Sequence, residues 1–226
     1  MYDLPTLLCT ILAFVPALVL HEAAHGFAAY KLGDPTAKRQ GRLSLNPVRH
    51  IDPFGTVILP LCLMAMNMPV FGYAKPVPYN PSYFEDPRKG DMMVGLAGPA
   101  ANLLQALAGA AIAFALWSLL PSGMLSPANP VAYYAFFVFL PTFVMTNLCL
   151  LFFNILPIPP LDGSSIFAFV LPRKYLPAYY KVQQYAMPIL MVVLIIVPAL
   201  LPRLNIVGWY MSLTAGNLFG LLYAWM

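Results

Sequence analysis

Two of the chain's three histidines and one of its two glutamates lie within five residues, in the pentapeptide His21-Glu22-Ala23-Ala24-His25. Residues i and i+4 of a helix share a face, so both imidazoles can bind one cation. Glu22 lies about 100° around the helix from His21, where its carboxylate can serve a water molecule without binding the metal. The pentapeptide therefore indicates a metal site that activates water.

The elements that must position this site lie in a membrane. The chain is 61% hydrophobic and 9% charged, whereas about a quarter of the residues in a soluble domain are charged. Apolar stretches of about 20 residues predict an all-α polytopic membrane protein, in which an ionisable side chain at membrane depth marks function. The 24 prolines predict broken helices around a polar cavity, because irregular backbone at that depth needs protein or water partners.

The apolar stretches predict about five to six transmembrane helices. We expect one compact membrane domain over 1–226, with a catalytic core at about 4–170 and C-terminal helices at about 185–226. Prolines interrupt the stretch 51–70, which favours a re-entrant segment, and 71–81 favours a short membrane-associated β-strand or loop. The expected spans are 4–30, 92–120, 131–156, 187–201 and 206–226.

The net charge of +4 comes from basic residues in loops beside the apolar stretches. This is the pattern of the positive-inside rule, and it does not indicate a nucleic-acid partner. The loops at 31–50, 82–91 and 172–184 are therefore expected in the cytoplasm, with the N-terminus outside. Short strands and turns are expected in the first of them.

A catalytic zinc usually takes three protein ligands and leaves its fourth position to water. His21 and His25 supply two, and the candidates for the third are His50, Asp52 and Asp162. Asp162 is favoured, because it follows a proline-rich break at the end of a span and shares the cytoplasmic side with the histidines. Taken alone, Asp162 could equally be a turn residue or a helix N-cap. The sequence around Asp52 favours one of those two roles for Asp52. The remaining aspartates are interpreted as solvated charges: Asp3, Asp34, Asp86 and Asp91.

The pentapeptide, followed by Asn154-x-x-Pro157-x-Pro159-x-Leu161-Asp162-Gly163, resembles the site-2 protease family of intramembrane zinc metalloproteases. Both signature motifs, HExxH and NxxPxPxLDG, are complete. The resemblance extends from about His21 to Gly163 and is closest to compact prokaryotic members without a PDZ or cystathionine-synthase-like regulatory domain. Further similar segments are 41–47, 50–56, 72–78 and 98–102.

The resemblance implies one Zn²⁺ per chain, bound by His21, His25 and Asp162. Glu22 would act as general base and then as general acid. Asn154 would contact the scissile carbonyl, either to position the substrate or to donate to the oxyanion. The implied activity is endopeptidase cleavage of transmembrane segments in membrane-tethered proteins, in a prokaryotic inner membrane with the active site towards the cytoplasm.

Several alternatives stay open at this point. His50 is either a hydrogen-bonded structural residue or a neighbour of the zinc, and Asn102 either packs helices together or contacts substrate. The segment 71–81 could pair with an unwound substrate strand. A metal transporter would use the same ligands, but no repeated half is present. A catalytically silent protein that holds transmembrane helices would lack a ligand or the base, and none is missing.

Overall fold

The computed structural model describes residues 3–59, 62, 73–121, 123–201 and 205–225. Short 3-10 or π-helical turns lie in the loops at Pro47–Arg49, Pro53–Ile58, Pro81–Tyr83 and Arg173–Tyr175. The helices are α1 (Leu4–Lys31), α2 (Thr36–Arg39), α3 (Pro87–Leu119), α4 (Pro130–Asn154), α5 (Gly163–Val170), α6 (Leu176–Gln183), α7 (186–200) and α8 (Ile206–Leu222).

Three of these helices are long and apolar enough to cross a membrane. They are α1, α3 and α4, with 28, 33 and 25 residues, and about 20 residues suffice for a bilayer. The apolar helix α8 has 17 residues. The total of five to six spans stays a prediction. Half of the re-entrant segment expected at 51–70 lies outside the described residues.

The prediction of short β-strands is wrong for the part of the chain that the structure describes, which contains none. Residues 73–80 are extended, but they have no strand partner. Pro76 and Pro78 lack an N–H group, so they cannot donate to a ladder. The N–H groups of Lys75 and Val77 instead donate to His50 O and to a side chain of α1, respectively. The basic loop after α1 likewise forms α2 and a 3-10 turn in place of strands.

Helix α3 lies at the centre of the fold, where it packs against α1, α4 and α5. Small side chains let neighbouring helices come close, and they dominate the buried face of α3. Val144 and Leu148 of α4 pack on this face, together with Ala215 of α8. The small buried residues of α3 are Gly90, Gly95, Gly98, Ala106, Gly109, Ala110 and Ala113.

Candidate metal centre

His21 and His25 lie on the buried face of α1, with 4% and 8% of their surface exposed. The Nδ1 atom of His21 is 2.6 Å from Asn102 Oδ1, and that of His25 is 2.7 Å from Val94 O. Both partners are acceptors, so each Nδ1 carries a ring proton, and in the neutral imidazole Nε2 then presents a lone pair. The two Nε2 atoms are 3.1 Å apart.

Asp162 completes a triangle of electron-pair donors with these two nitrogens. It immediately precedes α5, yet its side chain makes no N-cap hydrogen bond. Its Oδ2 instead lies 3.2 Å from His21 Nε2 and 3.3 Å from His25 Nε2. The N-cap alternative is thus not realised, and the carboxylate faces both histidines.

The donor set of this triangle fits zinc. Three lone pairs at such distances repel one another unless a metal cation or a proton lies among them. Zinc–ligand bonds of about 2.0–2.1 Å in a tetrahedral site separate neighbouring donor atoms by about 3.3 Å, close to the distances found here. Two neutral imidazoles and one carboxylate are ordinary zinc ligands. Among the described residues, His21, His25 and Asp162 form the cluster of possible metal ligands, with ligand atoms that all lie within 4.8 Å of one another.

Two glycines leave room for the candidate metal-binding side chains. A Cβ atom on Gly98 of α3 would lie 2.6 Å from Cε1 of both His21 and His25. A Cβ atom on Gly163 would lie 2.5 Å from the carbonyl carbon of Ile155. Both glycines are therefore required for the close approach that brings α1, α3 and the start of α5 together.

Two buried asparagines orient His21. Asn102 Nδ2 donates to Ala17 O at 3.2 Å and to Asn147 Oδ1 at 2.8 Å, so its oxygen must face His21. Asn147 Nδ2 in turn donates to Phe143 O at 2.9 Å. Asn102 therefore packs helices together, as one of the sequence alternatives proposed, and also fixes a histidine. The sequence interpretation missed Asn147. The feature that could have identified it is a polar amide side chain within an otherwise apolar span.

All five predicted site residues line one cavity of about 810 Å³. Glu22 Oε2 accepts a hydrogen bond from Val77 N–H at 2.9 Å. Asn154, at the end of α4, donates from its amide to Leu150 O at 3.0 Å. The other site residues in the wall are His21, His25 and Asp162. The cavity also has an apolar wall, formed by Phe14, Leu18, Met145, Cys149, Phe153, Met187, Leu190 and Met211.

The other two candidates for the third metal ligand, His50 and Asp52, are not part of this cluster. His50 is buried, its Nε2 lies 2.7 Å from Ser44 O, and its carbonyl accepts from Lys75 N–H. This geometry matches the structural alternative. Asp52 accepts from Gly55 N–H at 2.7 Å and caps a turn.

Asp34 is fully buried, and its interpretation as a solvated charge is wrong. Its carboxylate accepts from Thr36 N–H at 2.9 Å, from the Thr36 hydroxyl at 2.5 Å and from Asn80 N–H at 2.6 Å. Asp91 also has a protein partner, because the Tyr79 hydroxyl donates to it at 2.5 Å. Burial and the Asp91 carboxylate raise the pKa of Tyr79.

The fold and this site together fit a membrane metalloenzyme with a glutamate beside its candidate metal ligands. The sequence profile of Peptidase family M50 matches residues 120–197, which include Asn154 and Asp162. No solved structure matches the chain significantly.

Relatives extend the similarity over most of the chain. "Putative zinc metalloprotease YwhC" of Bacillus subtilis (strain 168) is 36% identical over 209 residues, which cover 90% of this chain and 89% of that protein. "Putative zinc metalloprotease Rip2" of Mycolicibacterium smegmatis is 32% identical over 190 residues, which cover 84% of this chain and 67% of that protein. Rip2 of Mycobacterium tuberculosis (strain H37Rv) is 30% identical over 200 residues, covering 88% and 69%.

The chain belongs to peptidase family M50, the site-2 protease family. It is a membrane protein and a zinc metalloprotease, with zinc as its cofactor.

Proposed function

We propose that the enzyme is an intramembrane endopeptidase, which hydrolyses peptide bonds in or near the transmembrane segments of membrane-tethered proteins in regulated intramembrane proteolysis. The depth of the metal-binding side chains supports this proposal most strongly. Helix α1 ends at Lys31 and rises about 1.5 Å per residue, so His25 and His21 lie about 9 and 15 Å before its end. A peptide bond must enter the helical bundle to reach them.

His21, His25 and Asp162 are the proposed zinc ligands. Bound zinc supplies Lewis acidity, which makes water a nucleophile near neutral pH and polarises a carbonyl oxygen. The protein holds the ligands ready for the ion, because Asn102 and Val94 O fix the imidazole protons on Nδ1.

Glu22 and Asn154 are the proposed catalytic residues. Glu22 accepts a proton from the attacking water and later delivers it to the leaving amide nitrogen, so one carboxylate serves both transfers. Asn154 offers its side-chain amide to the substrate carbonyl, either to position it or to stabilise the negative charge that develops on its oxygen.

A transmembrane helix hides its amide bonds, so the substrate must unwind locally before attack. Strand addition at residues 75–78 would need N–H donors there. Pro76 and Pro78 have no N–H group, and the N–H groups of Lys75 and Val77 already donate within the protein. We therefore assign the unwound segment to the cavity, whose apolar wall suits the side chains of a membrane span.

The proposed orientation places the active site towards the cytoplasm of a prokaryotic cell, in its inner membrane. Basic residues follow the end of α1 that lies nearer the histidines, including Lys31, Lys38 and Arg39, and the positive-inside rule assigns that end to the cytoplasm. We propose that water enters from this side through a second cavity. This cavity, of about 290 Å³, is lined by Arg88 and Asp91 and shares Ser165 and Gln183 with the first.

Glu22→Gln tests the proposed function. The enzyme is purified with zinc, reconstituted in liposomes and given a reporter protein with one transmembrane segment. We expect the wild-type enzyme to cleave the reporter and Glu22→Gln to retain zinc without cleaving it. The chain's other glutamate provides the matched control, because Glu85 is exposed and Glu85→Gln should cleave normally. Undiminished cleavage by Glu22→Gln would contradict the assignment.

A further inference from the structure

The backbone of residues 73–80 holds the side chain of Glu22. We propose that this segment is a clamp that positions the Glu22 carboxylate for proton transfer, and that Arg42 is the positioning residue that fixes the clamp. The inference rests on the proposed role of Glu22 as general base. We call residues 73–80 the clamp segment below.

The clamp segment meets Glu22 through Val77. The Val77 N–H donates to Glu22 Oε2 at 2.9 Å, which leaves Oε1 for the proton transfer. Val77 is itself 5% exposed, and it packs on Gly26, whose added Cβ would lie 3.0 Å from Val77 Cγ1. Glu22 and Gly26 are four residues apart and share a face of α1. The absence of a side chain at Gly26 thus lets the Val77 backbone come within hydrogen-bonding distance of the carboxylate.

Arg42 fixes the clamp segment from the other side. Its guanidinium is buried and donates to Lys75 O at 2.6 Å, to Pro76 O at 3.1 Å and to Arg49 O. Lys75 N–H donates to His50 O at 2.9 Å, so the peptide groups on both sides of Lys75 are held. One planar cation with several N–H donors therefore connects the loop at Arg49 to the two residues before Val77.

Asp34 fixes the far end of the clamp segment. It accepts from Asn80 N–H at 2.6 Å, three residues beyond Val77. Val77 is thus held between the buried side chains of Arg42 and Asp34. Neither residue is among those that line the 810 Å³ cavity in the described part of the chain. This arrangement gives the Val77 N–H a fixed position.

A fixed carboxylate matters for the rate. A general base must come within about 2.6–3.2 Å of the proton that it takes. A glutamate side chain rotates about several bonds, and a displacement of about 1 Å at a reacting group can cost about 10²-fold in rate. Loss of the clamp should therefore lower kcat and leave the zinc content unchanged, because the three proposed ligands remain.

Val77→Pro and Val77→Ala form the matched pair for the test. Val77→Pro removes the N–H group, whereas Val77→Ala removes only side-chain packing. With the reconstituted enzyme and the single-span reporter, we expect Val77→Pro to lose about 10²-fold in kcat with bound zinc unchanged. Val77→Ala measures the loss that comes from side-chain packing alone, and it should lose less kcat than Val77→Pro does. Equal losses in the two variants, or a wild-type kcat in Val77→Pro, would overturn the clamp.

Arg42→Ala tests the positioning residue without changing the clamp segment. We expect a similar loss in kcat with zinc retained, and partial recovery when millimolar guanidinium fills the space left by the side chain. The same guanidinium should not restore Glu22→Gln or Val77→Pro. A wild-type kcat in Arg42→Ala, or a loss of kcat that guanidinium does not relieve, would overturn the role of Arg42. Absence of cleavage by the wild-type enzyme would instead count against the proposed function.

Discussion

Asn102 Oδ1 lies 2.6 Å from Nδ1 of His21, so a residue of α3 decides which nitrogen of a histidine on α1 faces Asp162. The amide cannot turn over without breaking its bonds to Ala17 O and Asn147 Oδ1. The tautomer that binds a metal through Nε2 is therefore built into the packing of the three long helices. Partners of this kind commonly tune metal affinity.

Asn102→Ala should weaken zinc binding by about 10–100-fold, because His21 loses the acceptor that holds its proton on Nδ1. Competition with a chelating fluorescent indicator measures the zinc Kd of the purified protein. Asn217→Ala is the control, because Asn217 is exposed and its amide donates only to a carbonyl of its own helix, Leu213 O. An unchanged zinc Kd in Asn102→Ala would contradict this role.

Gly98→Ala should abolish zinc binding, since the added methyl group would meet both imidazoles at 2.6 Å from their Cε1 atoms. Neither ring can move away without leaving Asn102 or Val94 O. Gly220→Ala in α8 is the matched control, because nothing lies within 4 Å of its added Cβ. Zinc content measured by mass spectrometry distinguishes the two variants, and a fully loaded Gly98→Ala protein would refute the prediction.

Much of the site was predictable from the sequence for local reasons. The helical spacing of His21 and His25 depends on one helix, and an apolar run of sufficient length predicts that helix. Asp162 lies 137 residues beyond His25, so its place needed the resemblance of the NxxPxPxLDG motif to a known family. The structure brings these three residues together. Their roles as zinc ligands stay a prediction.

The rest depended on long-range hydrogen bonds that no local pattern reveals. Asp34 follows a turn and has the sequence context of a solvated charge, but its partner Asn80 is 46 residues away. The extended residues 73–80 have the composition of a strand, yet Arg42 and Glu22 supply their hydrogen-bond partners. An extended backbone was therefore predictable, and Pro76 and Pro78 already argue against a regular ladder. The partners Arg42 and Glu22 were not predictable.

Asp162→Asn should weaken zinc binding by more than about 100-fold, beyond the usual effect of a residue that only supports a ligand. The substitution keeps the shape of the side chain and removes the charge that offsets the cation. Asp52→Asn provides the control, because Asp52 caps a turn through Gly55 N–H and has no contact with the histidines among its hydrogen bonds. The indicator competition described for Asn102→Ala measures both variants. Equal zinc affinity in Asp162→Asn and the wild type would exclude Asp162 as a ligand.

Asp34 should make the stability of the fold sensitive to acid. Burial opposes its ionisation, but hydrogen bonds from Thr36 and Asn80 outweigh burial and hold the pKa of Asp34 below its ordinary value of 3.8. The folded state therefore releases this proton more readily than the unfolded chain does. The stabilisation is fully present above the unfolded pKa, and it is lost as the pH falls through the lowered folded pKa.

Thermal unfolding of zinc-free protein in detergent measures this contribution, since acid would also release the metal by protonating its ligands. We expect Asp34→Asn to lower Tm by a constant amount between about pH 5 and pH 7, because one N–H donor then faces an amide nitrogen. The difference in Tm from the wild type should shrink below about pH 4, because the carboxylate of the unfolded chain takes up its proton there and the native carboxylate follows at lower pH. Asp86→Asn, at an exposed helix N-cap, should have a smaller effect on Tm. A difference for Asp34→Asn that persists undiminished into strong acid would show that its charge does not contribute to stability.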